Sequence, residues 1–210
     1  SDVCSSDLLT NLPGLSPQQE PVQQIVQAAR KARDLVRQLM AFGRQQILRA
    51  GPLDVNALVA RVADRLRRTL PNGIALQVHT APELPAARAD ADQIDLVLTN
   101  LVGNAQEAMP HGGELTLRTA AVNLDPAAAA AYEGAVPGPY VMLEVSDNGC
   151  GIAPDLLPLI FEPFFTTKGA GTRSGLGLAS VHGIVKQHGG CIAVRSTAGK
   201  GTVFTILLPV

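Results

Sequence analysis

The chain has 210 residues but no tryptophan, and it carries only seven aromatic residues, five phenylalanines and two tyrosines. Charged residues make up 17% of the sequence, against about a quarter in an average globular protein. The charges nearly cancel, because 17 lysines and arginines face 18 aspartates and glutamates. A disordered chain needs low hydrophobicity and high net charge, so the 46% apolar content excludes that class. The balanced charge argues against a nucleic-acid binder that works through a basic field.

Cysteines and long apolar runs are also scarce. Cys4, Cys150 and Cys191 are well separated and form no CxxC pair, which argues against a disulfide framework or a zinc knuckle. No apolar run reaches the roughly 18 residues of a membrane-spanning helix. The first residues, SDVCSSD, lack the basic and apolar regions of a signal peptide. We therefore expect a globular protein of a reducing, cytoplasmic setting, with no membrane segment.

Glycine, in contrast, is abundant and unevenly spread. Eleven of the 20 glycines lie in the last 62 residues, where Phe161, Phe164 and Phe165 also sit together. Glycine is needed where the backbone adopts positive φ or approaches another group closely. This segment is therefore predicted to contain a mobile loop or closely approached backbone.

Hydrophobic spacing and turn residues predict alternating helices and strands after Gly51-Pro52. Asp54 and Asp90 are predicted N-caps. The predicted helices span 55–69, 92–109 and 176–188, and the predicted strands span 74–79, 87–89, 114–123, 140–146, 191–196 and 202–208. The Ala/Pro/Gly-rich stretch 125–139 is expected to be a loop suited to insertion rather than to chemistry. This order predicts an α/β fold, a two-layer sandwich with helices on one face of a mixed sheet.

The amino-terminal quarter has a different character. Three prolines prevent a long helix within residues 1–21. Residues 22–46 are predicted to be helical, with a heptad seam of apolar residues spaced 3-4-3-4-3. The seam consists of Ile25, Ala28, Ala32, Leu35, Leu39 and Phe42. Three heptads suit either a helix packed on its own domain or an intermolecular coiled coil, and both alternatives stay open.

Two carboxamides stand out on the predicted helix 92–109. Asn100 and Asn104 are four residues apart and so share a face, with Glu107 near the same side. Polar groups on an otherwise apolar helix must find partners. They could cap or bridge loops, or their neutral oxygens could serve as inner ligands of Mg²⁺, which takes few protein oxygens together with phosphates and water.

The sequence Asp147-Asn148-Gly149-Cys150-Gly151 directly follows a predicted strand. A carboxylate at a strand end can accept a hydrogen bond from an exocyclic amine, and the two glycines would let a flat ring approach the backbone. The same residues are also ordinary turn chemistry.

Next come FEPFFTTK (161–168) and GAGTRSGLGL (169–178). They combine a hydrophobic hinge, a basic residue and a glycine-rich loop that enters a helix, which is what a phosphate-closing lid requires. Backbone N–H groups near 175–177 can bind phosphate. The pattern is neither a Walker A motif nor a Rossmann fingerprint.

Together the motifs resemble, in order and spacing, the Bergerat-type ATP-binding catalytic domain of sensor histidine kinases, in the wider group shared with DNA gyrase and the mismatch-repair ATPases. The similar segments are 100–108 for the N box, 147–151 for G1, 161–168 for the F box, 171–177 for G2 and 199–202 for the closing G3 turn. The resemblance covers roughly residues 22–210. FEPFFTTK and SGLGLASVHGIVKQHGG point towards the nitrogen-regulator-like and hybrid-kinase branch.

The resemblance implies ATP and Mg²⁺ as cofactors. It makes Asn104 the metal ligand, gives Asn100, Asn104 and Lys168 catalytic roles, and has Asp147 read the adenine amine. The implied nucleotide-binding residues are Asn104, Glu107, Asp147, Gly149, Gly151, Ile152, Phe165, Thr166, Thr167, Lys168, Gly171, Gly175, Leu176, Gly177, Leu178 and Thr202.

The resemblance also implies a reaction. Gyrase-like relatives carry a glutamate at the position of Asn100 to activate water, and asparagine cannot be that base. Hydrolysis is then expected to be slow, with the γ-phosphoryl kept for a histidine acceptor and a response-regulator receiver domain downstream. The implied domains are a remnant first helix at 1–21, the second helix of a dimerisation and histidine-phosphotransfer domain at 22–50, and the ATP-binding domain at 51–210. A homodimer through 22–46 is expected.

The acceptor region departs from the family pattern. Its motif reads HDFNNLL, and only Leu8-Leu9-Thr10 aligns with the end of it, which places the histidine on Val3 and its acidic neighbour on Cys4. His79, His111, His182 and His188 are interpreted as structural or solvated, His188 near a helix C-terminus that favours a cation. The chain is therefore expected to bind ATP without phosphorylating itself at the usual place.

Two alternatives remain: a catalytically silent, dimerising nucleotide-binding module, and a protein serine kinase of the anti-sigma type, which the 22–46 helix disfavours. Arg173 stands where relatives commonly have glycine. It could add a phosphate contact or stiffen the lid, and the sequence favours neither.

Overall fold

The computed structural model describes residues 49–167 and 174–210. The predicted helix 22–46 lies outside the described residues, as do Lys168, Gly171 and Arg173. In chain order the elements are β1 (Gly51–Leu53), α1 (Val55–Thr69), β2 (Ile74–His79), β3 (Ala87–Ala89), α2 (Ala91–Ala108), β4 (Gly113–Leu124), α3 (Pro126–Ala129), β5 (Gly138–Asp147), a 3₁₀ turn (Leu157–Leu159), α4 (Gly177–Gln187), β6 (Cys191–Thr197) and β7 (Gly201–Pro209). Each helix and strand predicted after Gly51 is present, with its ends shifted by no more than two residues. No helix in these two ranges is long and apolar enough to cross a membrane.

Five strands form a mixed sheet in the order β2-β4-β5-β7-β6. Strands β2 and β4 pair in parallel, and the other neighbours pair antiparallel. A parallel pair needs a crossover connection, and the chain between β2 and β4 contains α2. Strands β1 and β3 form a separate antiparallel pair. The predicted α/β class with a mixed sheet is confirmed.

The main core lies between one face of this sheet and the three longer helices. Leu117, Leu143 and Ile206 are register partners or near neighbours on that face, and all three are fully buried. They belong to one hydrophobic cluster with residues of all three helices, including Leu58, Leu98 and Ile184. Side chains that alternate along a strand point to opposite faces, so this face carries the apolar half of each strand.

The segment 125–139 differs from the loop that the sequence predicts. Asp125 caps the four-residue helix α3 by accepting a hydrogen bond from the Ala128 N–H at 2.7 Å. Ala129 joins Tyr140 and Leu207 in a second, smaller cluster on the opposite face of the sheet. The expected one-sided arrangement therefore holds for the three longer helices, while α3 covers part of the other face.

The amino terminus of α2 is fixed by two elements. Asp90 accepts hydrogen bonds from the N–H groups of Asp92 and Gln93, as the sequence predicts. The buried His188 accepts a hydrogen bond from the Asp90 N–H through Nε2 at 3.0 Å, and its Nδ1 lies 2.8 Å from the Ile184 carbonyl. Since Nε2 accepts the bond from Asp90, Nδ1 is the ring nitrogen that donates to the Ile184 carbonyl. These two hydrogen bonds confirm the structural interpretation of His188.

A closed polar triangle ties α1 to the sheet. The Asn56 carboxamide donates to the Ala81 carbonyl at 2.7 Å and accepts from the Thr119 hydroxyl at 2.7 Å. The same Thr119 oxygen accepts from the Ala81 N–H at 3.1 Å, and Thr119 is buried.

We expect Asn56→Ala to lower the free energy of unfolding by about 2 kcal/mol, because it leaves buried polar groups without partners. Urea denaturation of Asn56→Ala, Thr119→Val and the double variant measures the coupling. The double variant is expected to cost clearly less than the two single changes together. Simple additivity would contradict the triangle.

Candidate functional site

One face of α2 is contacted by two of the predicted motifs. Asn100, Asn104 and Ala108 are spaced four residues apart and so form one stripe along the helix. A Cβ on Gly177 would lie 3.2 Å from Asn100 Oδ1, and a Cβ on Gly149 would lie 2.5 Å from the Ala108 carbonyl oxygen. At 1.5 Å per residue the two contacts are about 12 Å apart along the helix. Asn104 lies midway between them.

The two carboxamides have different surroundings. Asn100 is 7% exposed, and its Nδ2 donates to the Leu96 carbonyl at 2.9 Å, while its oxygen faces the start of α4. Asn104 and Glu107 are half-buried. Asn100 is therefore held inside the protein, whereas Asn104 borders the solvent.

Hydrogen bonds to two other segments hold the loop after β5 in place. The Asn148 carboxamide accepts from the Glu114 N–H at 2.7 Å, and the Cys150 N–H donates to the Ala108 carbonyl at 2.9 Å. Asp147 Oδ1 accepts from the Gly149 N–H at 2.9 Å. Burial raises the pKa of the Asp147 carboxyl above its ordinary value, and the N–H groups of Gly149 and Thr202 offset part of that rise. The loop thus presents a desolvated carboxylate at the carboxyl end of a strand.

This desolvation gives a stability prediction. Because the pKa of Asp147 is raised in the folded protein, the free energy of unfolding falls as pH rises through the range in which this carboxyl ionises, and it stays lower above that range. We expect Asp147→Asn to raise the melting temperature at neutral pH, with the gain shrinking towards about pH 4. Melting curves across this range measure it, with the exposed Asp155→Asn as control. An equal gain at every pH would contradict burial of the charge as its cause.

The glycines of this loop approach the protein's own backbone. Gly151 has φ +67°, and a Cβ there would lie closer than 3.0 Å to the Thr197 carbonyl. Gly149 meets Ala108 in the same way. The sequence predicts that these glycines make room for a flat ring. In the structure, close packing against the protein's own backbone already explains why both positions are glycine. The binding of a ring beside them stays a prediction.

A serine that the sequence analysis missed joins this loop to the last hairpin. Ser196 Oγ lies 2.8 Å from the Ile152 nitrogen, 2.9 Å from the Gly201 carbonyl oxygen and 2.9 Å from Thr202 Oγ1. Thr202 is buried and pairs in register with Asp147 across β5 and β7. One feature of the sequence could have revealed this serine: position 196 has a hydroxyl, although it shares a face of β6 with the apolar Ile192 and Val194.

A backbone hydrogen bond joins the two ends of the predicted lid. The Phe164 N–H donates to the Gly175 carbonyl at 3.0 Å, and both residues have positive φ, 68° and 66°. Phe161 and Phe165 pack against the main core, and the Phe161 ring centre lies 5.3 Å from that of His182. Phe164 is 68% exposed. The three phenylalanines therefore do not form one hinge, since two anchor the segment and the third faces outward.

Helix α4 begins at Gly177, and its N-cap residue Leu176 supplies no side-chain hydrogen bond to the first turn. Leu176 is buried and Leu178 packs against the main core, as predicted for the start of this helix. The exposed Thr166 and Thr167 precede it across the lid. The first N–H groups of a helix attract anions, so this end of the site suits phosphate.

Asn104 is the candidate metal ligand on the stripe. No group of three or more His, Cys, Asp or Glu able to hold a metal occurs within 49–167 and 174–210. Mg²⁺ commonly takes one or two protein oxygens and completes its shell with phosphates and water. The Asn104 oxygen on the stripe fits that pattern and does not fit an all-protein metal site.

The chain is similar to known proteins in both sequence and structure. Residues 89–210 match the family described as histidine kinase-, DNA gyrase B- and HSP90-like ATPase. The chain is 44% identical over 208 residues to sensor kinase CckA of Brucella abortus, covering 99% of this chain and 22% of that protein. It is 36% identical to the sensory histidine kinase/phosphatase NtrB of Rhizobium meliloti, covering 83% of this chain and 45% of that one. The crystal structure of full-length ShkA in complex with AMPPNP is similar with a TM-score of 0.76 and 28% identity, over 96% of this chain and 41% of that one. The chain thus spans less than half the length of each of these relatives.

Proposed function

The chain belongs to the histidine kinase-, DNA gyrase B- and HSP90-like ATPase family, and from that membership we propose that it is the ATP-binding catalytic core of a two-component sensor histidine kinase. The observation that carries the proposal is the stripe on α2, where Gly149 and Gly177 contact positions about 12 Å apart with Asn104 between them. This spacing supports one elongated ligand, with its base at the Gly149 end and its phosphates at the Gly177 end.

The proposed nucleotide lies along this stripe. Its adenine amine would bind Asp147, beside Gly149, Gly151, Ile152 and Thr202. Its phosphates would meet the start of α4 at Gly175–Gly177. The proposed lid contacts are Phe165, Thr166, Thr167, Lys168 and Gly171.

Asn104 would hold Mg²⁺ through its carboxamide oxygen, with Glu107 one turn away. The metal, when bound, neutralises charge on the phosphates. The protein's own contribution is positioning. Asn100 is buried and carries no titratable group, so it cannot take a proton from water. We infer that the γ-phosphoryl group is kept for a protein acceptor.

The acceptor and the partners belong to the same proposal. We propose a histidine on a dimerisation domain as acceptor and a response-regulator receiver domain as the next partner. The domain limits 22–50 and 51–210, a homodimer through 22–46 and a cytoplasmic location, where ATP is supplied, remain predictions. Residues 1–48 contain no histidine, which favours a second candidate: a nucleotide-binding, dimerising module that transfers nothing.

One experiment separates the two candidates. The chain is incubated with γ-labelled ATP and a histidine-bearing dimerisation domain from a related kinase, and acid-labile phosphate on that domain is measured. The proposed kinase core labels the partner, and the label disappears when the partner histidine is replaced. ATP binding without any labelling would favour the silent module. Absence of ATP binding would overturn both candidates.

A further inference from the structure

The hydrogen-bonding capacity of the Ser196 hydroxyl is fully used. Its oxygen lies within 2.9 Å of three polar atoms, the Ile152 nitrogen, the Gly201 carbonyl oxygen and Thr202 Oγ1. A serine hydroxyl has one proton to donate and two lone pairs to accept with. The three contacts therefore use its whole capacity.

The directions of these bonds follow from the donors present. The Ile152 N–H can only donate, and the Gly201 carbonyl can only accept. Ser196 thus accepts from Ile152 and gives its own proton to Gly201. Its remaining lone pair accepts from the Thr202 hydroxyl, whose proton is then directed towards Ser196.

This assignment fixes how Thr202 faces the proposed base site. With its proton committed to Ser196, the Thr202 hydroxyl offers only a lone pair to any other group. Asp147 pairs in register with Thr202, and register partners on an antiparallel pair project to the same face. An ionised carboxylate also only accepts. Two acceptors side by side favour a ligand edge that donates and disfavour one that accepts.

We propose that Ser196 is a positioning residue that sets base specificity, selecting 6-amino purines over 6-oxo purines through Thr202 without touching the nucleotide. This inference rests on the proposed function, because it needs a nucleotide in the site. Replacing Ser196 by alanine releases the Thr202 proton, which can then turn towards a 6-oxo group and donate to it.

The test compares ATP with inosine triphosphate, which carries an oxo group in place of the amine, by calorimetry on the intact chain. We expect the natural chain to bind ATP at least roughly 100-fold more tightly. We expect Ser196→Ala to lower the ratio of ATP affinity to inosine triphosphate affinity about 10-fold. Ser196→Thr keeps the hydroxyl and is expected to preserve this ratio. If Ser196 has a purely structural role, Ser196→Ala weakens the binding of both nucleotides equally and leaves the ratio of their affinities unchanged.

An unchanged ratio in folded Ser196→Ala overturns the inference, as does loss of the ratio in Ser196→Thr. If Ser196→Ala does not fold, Ser196→Cys replaces it, since a thiol of similar size is a weak hydrogen-bonding group. A folded Ser196→Cys variant that keeps the full affinity ratio would also overturn the inference.

The Asp147→Ala variant distinguishes failure of the proposed base site from failure of the inference about Ser196. A natural chain that does not bind ATP, or a ratio insensitive to Asp147→Ala, overturns the proposed site together with the inference. A ratio that depends on Asp147 and ignores Ser196 overturns the inference alone.

Discussion

Asn104→Ala is expected to reduce phosphoryl transfer to a histidine-bearing partner domain by about 100- to 1,000-fold, because it removes the carboxamide oxygen that we propose as the Mg²⁺ ligand beside the phosphates. Asn104 lies midway along the α2 stripe and is half-buried, so truncating it creates no deep cavity. Fold stability should therefore change little. The measurement is the initial rate of partner labelling at saturating ATP, with a melting curve to show that the variant is folded.

The chain offers a matched control for this change. Asn123 is exposed near the end of β4 and makes no side-chain hydrogen bond among the described residues. Asn123→Ala is expected to label the partner at the natural rate. Full activity in Asn104→Ala, or an equal loss in Asn123→Ala, would remove Asn104 from the catalytic site.

Gly201→Ala is expected to lower the free energy of unfolding by about 3–5 kcal/mol, which for a protein of this size lowers the melting temperature by about 10 °C. Gly201 has φ +105°, and a Cβ there would lie 2.7 Å from Asn148 Cα and closer still to the Asp147 carbonyl oxygen. Backbone atoms cannot move aside as a flexible side chain can. The change therefore strains the hairpin and displaces Asp147, so the folded variant should also bind ATP more weakly. Urea denaturation and calorimetry measure the two effects.

Gly199 is the control from the same turn. It has φ +78°, but a Cβ there would meet nothing within 4 Å. Gly199→Ala is expected to cost only the conformational strain, about 1–2 kcal/mol. The difference between the two variants isolates the collision with the loop after β5. Equal losses would show that this contact contributes nothing.

Local features of the sequence sufficed for most of the fold. The caps at Asp54 and Asp90, the alternation along the strands and the 3.6-residue spacing predicted the helices and strands after Gly51, because these signals act over a few residues. The segment 125–139 was missed because its apolar residues pair with Tyr140 and Leu207, which no local period reveals. The partner of His188 could not be found from the local sequence, because Asp90 is 98 residues away.

The candidate site divides in the same way. Asparagines four residues apart, an aspartate at a strand end and a glycine-rich entry to a helix could be identified by residue type and spacing, and their combined order indicated the family. The sequence did not show that Gly149 and Gly177 meet one stripe of α2, nor that the phenylalanine cluster separates into two anchors and one exposed ring.

The helices and strands, the candidate site residues and the family can all be recognised in the amino-acid sequence, because they depend on short-range periodicity and on residue types at fixed spacing. The contacts between distant segments appear only in the folded protein: Ser196 bonds to Ile152 and Thr202, and Gly201 packs against Asp147. These facts depend on strand register and on backbone approach between segments up to about fifty residues apart, where sequence patterns exert no direct constraint.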